Sequence, residues 1–235
     1  MEMVKKWMDF VMFKRTAQDI LKEAEIGNAL KQYIIAITIV SVLSAIVLSI
    51  LGFAAVDIAS TAITIPGMDA IVQAGIGIGT VMIVVGNIVG GIVGLFIIGA
   101  LLHLFSKIVG GKGDLMKYIS ALFLVSAAIT GTIGIIIAIL LIIGALLVLA
   151  LGAIGLVLSG LIVMIVGLIT LIAGLIALYR IIEITSIEQK ISFARAIIAI
   201  IIIPIIISVI LSIIIIALGL AAFLTIASAT TTQII

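Results

Sequence analysis

The chain has 235 residues, 66% of them hydrophobic and 9% charged, with a formal net charge of +2 and a mean hydropathy of +1.65. Soluble domains carry roughly 25% charged residues, so the composition excludes a water-soluble fold and leaves an all-α, polytopic transmembrane helical bundle occupying nearly the whole chain. The lack of cysteine excludes disulfides and thiolate metal sites, the single His103 excludes a multi-histidine metal centre within one chain, and so small a net charge gives no footprint for nucleic acid; no cofactor or metal is expected.

Residues 1–31 mix both signs of charge and contain no apolar run of the signal-peptide kind. Met3, Trp7, Phe10, Val11, Ala17, Leu21 and Ala24 recur at helical spacing opposite Lys5, Asp9, Thr16, Asp19 and Glu23. This predicts an amphipathic helix at the cytoplasmic interface, with Trp7 as its membrane anchor. The alternative is a helix packed on the cytoplasmic loops. Gly27-Asn28 marks a bend before the first span.

About 20 apolar residues cross the hydrocarbon as a helix. On that measure the spans fall at about 32–56, 71–105, 118–147, 153–179 and 197–222, with a tail at 225–235. The number of spans between 118 and 179 is set by charge. All Lys and Arg lie in 5–31, 107–117 and 180–195, and residues 118–179 carry no charge. Basic loops favour the cytoplasm, so an even number of spans must separate Lys107, Lys112 and Lys117 from Arg180, Lys190 and Arg195. Two spans fit, turning near Gly152 and Gly155. The N-terminus is then cytoplasmic, the tail extracytoplasmic, and the outer connection 57–69 carries only Asp57 and Asp69. Asp114 is placed to cap the third span.

Gly86, Gly90 and Gly94 make small-xxx-small steps on span two, and Gly160, Gly167 and Gly174 share a face of span four. Such stripes predict helix packing within the bundle, or a pore wall or dimer seam. Spans one and five, rich in Ile, are expected to face lipid. Asn87 is the deepest strongly polar side chain, and His103 lies near the cytoplasmic end; both are candidate intramembrane polar sites. Charged residues are missing from the span interiors, which speaks against an ion-coupled pump. Pro204 predicts a kink in span five. The run Gly110–Asp114 fails the phosphate-loop spacing, and neither a nucleophile–base set nor a metalloprotease motif occurs, so no enzyme is expected.

Three features resemble the Yip family, the Ypt/Rab-interacting five-span membrane proteins. They are the polar N-terminal segment before five spans, the Gly110-Gly111-Lys112-Gly113 loop leading into a small-residue helix, and Arg195-Ala196 followed by Pro204. Span three lacks the family's proline, and the Asp-Leu-Tyr-Gly-Pro motif of the eukaryotic tail is absent, which argues against GTPase binding. The resemblance implies a non-enzymatic scaffold acting through a protein partner, a homo-oligomer or membrane lipid. Its cytoplasmic surface would include Trp7, Lys107, Lys112, Lys117, Arg180, Lys190 and Arg195. The other expectation is a channel, transporter or lipid-translocating protein with its path along the Gly/Asn87 face of span two. High isoleucine and absent cysteine suggest a thermophilic, archaeal-type source, and hence the cell membrane.

Overall fold

The computed structural model describes residues 2–62 and 68–232, with side chains over 2–52 and 77–220. The regular structure within these residues is entirely helical. Helices α1 (Glu2–Val11) and α2 (Ala17–Glu23) precede α3 (Ile26–Ala62) and α4 (Met68–Ile108). Then come α5 (Leu115–Ile129) and α6 (Ile135–Leu151), joined by a π-helical turn at Thr130–Gly134. They are followed by α7 (Ala153–Glu188), α8 (Phe193–Ile197) and, after a second π-turn at Ile198–Ile202, α9 (Ile203–Thr232). Five helical stretches are long and apolar enough to cross a bilayer, which makes this a five-span, multi-pass integral membrane bundle.

Several boundaries differ from the expected ones. The N-terminal amphipathic segment is two helices, not one. Its chain reverses where the Lys14 and Arg15 amides both donate to the Asp9 carbonyl (2.8 and 3.1 Å), with Phe13 at φ +60°. Thr16 then starts α2 with a reciprocal capping box to Asp19. Gly27-Asn28 does not bend; both residues lie inside α3, and the break falls at Ala24 and Glu25. The outer connection shrinks to residues 63–67, which lie outside the described residues, because α3 and α4 run past Asp57 and Asp69. The segment expected as a separate tail continues α9 to Thr232, since nothing between Thr225 and Thr232 breaks a helix. The turn at Gly152 is as expected: its φ of +54° suits glycine.

Span one faces lipid on one side and the bundle on the other. α3 sits at the centre, packed on α4, α5 and α6. Its buried stripe is Ala29, Tyr33, Ala36, Ser41, Ala45 and Val47, whose small members let neighbouring helices approach closely. Its bulkier Ile34, Ile39, Val42 and Ile46 point outward. α9 does present an exposed Ile-rich surface from Ile205 to Leu220.

The expected glycine seams are also displaced. A Cβ built on Gly86, Gly90, Gly94, Gly160, Gly167 or Gly174 meets no atom within 4 Å. These stripes face away from the bundle's neighbours. α4 instead packs through Gly91, against the Tyr33 ring, and Gly99, against Ile119 and Leu122. α7 closes on α6 near Gly144 and Gly155.

The described charges gather at one end of the bundle. The continuous helix Leu115–Leu151 has 37 residues, so it is about 55 Å long, against about 30 Å of hydrocarbon. The excess builds a cap at the charged end. There α5 is buried on every side, without interruption from Tyr118 to Val125, by α1, α2, α3, α4 and α7. Toward the other end α7 exposes apolar side chains, among them Val157, Leu161, Met164, Leu168 and Leu171, as a lipid-contacting helix does.

Candidate functional site

The cap is held by two polar devices. The first is Arg180, one of the residues expected on the surface but in fact 2% exposed. Its guanidinium lies between the rings of Phe10 and Phe13, 4.4 and 4.2 Å from their centroids. Nη2 donates to the carbonyls of Phe10 (2.7 Å) and Arg15 (3.1 Å), and Nη1 to Glu183 Oε2 (2.8 Å). A guanidinium can be buried this way because its planar fork matches fixed acceptors and stacks on aromatic faces. Arg180 thus latches the N-terminal segment to α7. Phe13 and Phe193 flank Tyr179 beside it, with centroids 5.7 and 6.1 Å away.

Trp7 is the second correction. It is 2% exposed and makes no membrane anchor. Its ring lies on Gly131, where any Cβ would collide with it, and its Nε1 donates to Gln32 Oε1 (3.1 Å). The π-turn at Thr130–Gly134 places that bare glycine beneath the ring. Inward burial wins because the indole gains a flat seat and a partner for its N–H together. Glu23 ties the two short helices, accepting from Lys6 (3.3 Å) and Arg15 (2.9 Å).

The second device joins the Gly110–Gly113 loop to the end of α7. Gln189 is fully buried. Its Oε1 accepts from the Gly113 amide (3.2 Å), its carbonyl from the Lys112 amide (2.8 Å), and its Nε2 lies 2.8 Å from His103 Nδ1. The Gly113 amide can only donate, so Gln189 must turn its NH₂ toward His103. His103 Nδ1 is therefore the acceptor and its proton sits on Nε2. Protonating both nitrogens would set two donors face to face. Nearby, Thr185 donates to the Ile181 carbonyl (2.6 Å) and so must accept from the Tyr118 hydroxyl (2.9 Å). Gly113 is glycine for space: a Cβ would strike the Glu188 carbonyl. Gly110, at φ +94°, is glycine for its backbone.

Of the expected surface residues, Lys107 donates to the Gly113 carbonyl (3.2 Å) and Lys117 pairs with Glu188 (3.5 Å). Lys112 and Lys190 stand exposed beside them, and Arg195 approaches Gly110 from α8. Asp114 caps α5 through the Lys117 amide (2.8 Å). Asn87 does not join this group, nor any interior site. It is exposed on the outward face of α4 with Gly86 and Gly90, and among the described residues that face does not meet spans three and four. Gln189, Thr185, Tyr118 and Gly131 are the members the sequence reading missed.

Asp19 is the titratable group of the capping box. Its carboxylate accepts the Thr16 amide (3.0 Å) and hydroxyl (2.8 Å). The backbone bond first, then the hydroxyl, hold its pKa below the ordinary value.

Comparison of the chain with protein-family models, curated proteins and solved structures finds no match.

Proposed function

We propose that this protein is a non-enzymatic, Yip-like membrane scaffold, whose five spans hold a preformed cytoplasmic cap for a protein partner or for action on the bilayer. The observation that carries the reading is the Arg180 latch. The chain commits a buried guanidinium and two aromatic rings to fixing its N-terminal helices on the bundle. Its buried arginine and glutamine are spent on cap geometry, and the strongest polar candidate for a membrane path, Asn87, lies on the outside of α4. The Gly110–Gly113 loop, the point of closest resemblance to the Yip family, serves as the joint between spans two, three and four.

The test is in-membrane photocrosslinking from exposed cap positions, Lys5 and Met12, in wild-type and Arg180→Ala chains. One reproducible partner, lost when the latch is removed, supports the scaffold. An unchanged crosslinking pattern in Arg180→Ala, or solute or lipid flux through reconstituted wild-type protein, would sink it.

A further inference from the structure

Between α2, the Gly110–Gly113 loop and the end of α7 lies an open pocket of about 590 Å³, which presents four ammonium groups, Lys22, Lys112, Lys117 and Lys190, and two carboxylates, Asp114 and Glu188. Both carboxylates are held by hydrogen bonds, and that of Glu188 is also ion-paired. Asp114 accepts the Lys117 amide (2.8 Å). Glu188 accepts the Asp114 amide (3.4 Å) and pairs with the Lys117 ammonium (3.5 Å). Lys112 and Lys190 have no carboxylate within 4.0 Å among the described residues, and Lys22 makes only an exposed contact with Asp19 at 3.9 Å. With Lys22 set against Asp19 and Lys117 against Glu188, the pocket is left with two unpaired ammonium groups, Lys112 and Lys190, beside the Asp114 carboxylate. Lys112 is pinned by its amide bond to the Gln189 carbonyl (2.8 Å).

Lys190 adds an independent argument. It occupies the left-handed position that ends α7, at φ +55°. The Ile191 amide reaches back to the Ser186 carbonyl (3.1 Å), the six-to-one bond of a helix end normally closed by glycine. Here a lysine stands in the place where its backbone is least at ease, with its side chain at the pocket.

We infer that this pocket binds a doubly charged phosphate group, either on a soluble phosphomonoester or on a lipid headgroup at the membrane surface. The two unpaired ammonium groups can both pair with its oxygens, and the volume admits the phosphate with a glycerol-sized substituent. The site goes beyond the scaffold reading and does not depend on it.

The experiment uses the full chain and two variants. Lys190→Gly removes one ammonium and relaxes the backbone, so its fold is safe; Lys112→Gln removes the other. Calorimetric titration of detergent-solubilised protein with glycerol 3-phosphate tests the soluble source. Co-flotation with phosphatidylcholine vesicles, with and without phosphatidic acid, tests the lipid source. Binding in either arm that weakens about tenfold in each variant establishes the site and assigns its source. Failure of both probes to bind, or equal binding by wild type and Lys190→Gly, overturns it. A partner lost in the crosslinking test leaves this result untouched, so the two proposals fail separately.

Discussion

Arg180 ties the N-terminal segment to α7 through two backbone carbonyls and two aromatic rings at once. Its removal strands two backbone carbonyls and Glu183, and unstacks Phe10 and Phe13. Breaking a buried charged contact of this kind costs about 3–5 kcal/mol. Because Trp7 is the single tryptophan, its emission reports the cap directly. Arg180→Ala is expected to shift that emission to the red, toward solvent. Arg180→Lys should rescue little, since a point charge cannot serve two carbonyls and a carboxylate in one plane. Emission unchanged in both variants would show that the latch does not hold the cap. None of this was legible beforehand: hydropathy places any arginine near water, and only the acceptors from residues 10 and 15 make burial tolerable. Trp7 was misplaced for a related reason. A periodic apolar face says that something covers it, without saying whether lipid or protein does.

At the scale of elements, the two π-turns show how local sequence prepares a tertiary contact. In α9, Pro204 has no N–H and its ring would press on the Ile200 carbonyl of a regular α-helix. The widened turn at Ile198–Ile202, with the Ile203 amide reaching Ile198, accommodates that conflict just before the proline. In span three, Thr130–Gly134 is poor in helix formers, and the wide turn there carries Gly131 under Trp7. Gly131→Val is expected to eject the indole, at about 3 kcal/mol or more, and to redden its emission. Gly90→Val, whose added atoms meet open space, should leave emission and the monomer's unfolding midpoint nearly unchanged. Equal effects at the two sites would contradict the assigned helix faces. Glycine spacing alone could not separate them, since a small residue serves a tight contact and an open face alike. α2 carries a pH dependence. The folded-state pKa of Asp19 is depressed, so its capping contribution is fully present above the ordinary aspartate value and is lost as pH falls through the lowered one. Exchange of the Thr16 amide, which donates to the Asp19 carboxylate, should lose protection below about pH 4 once corrected for its intrinsic rate. In Asp19→Asn that acid step should vanish; its persistence would assign the step to another group.

For the molecule as a whole, the span count and the Gly152 turn were readable because hydrocarbon thickness and charge placement constrain them severely. The cap was not. The segments 118–128 and 180–188 were read as membrane and loop, yet they form one packed layer, with Tyr118 bonded to Thr185 and Lys117 to Glu188. Apolar runs of such length look alike whether lipid or protein surrounds them, and only the packing of α1 and α2 tells them apart.

The latch also has a consequence for biosynthesis. Arg180 bonds to residues 170 and 165 positions earlier in the chain. At about 5–20 residues per second, Phe10 and Arg15 wait roughly 8–34 s for their partner to be made. During that interval the first three spans must enter the bilayer, and α1 can seat Trp7 on Gly131 and the flank of α5 well before its tie to α7 exists. The amphipathic face of residues 3–24 is therefore covered in two steps along the chain: α1 by α5 first, and α2 with the Arg180 latch by α7 once the fourth span is made.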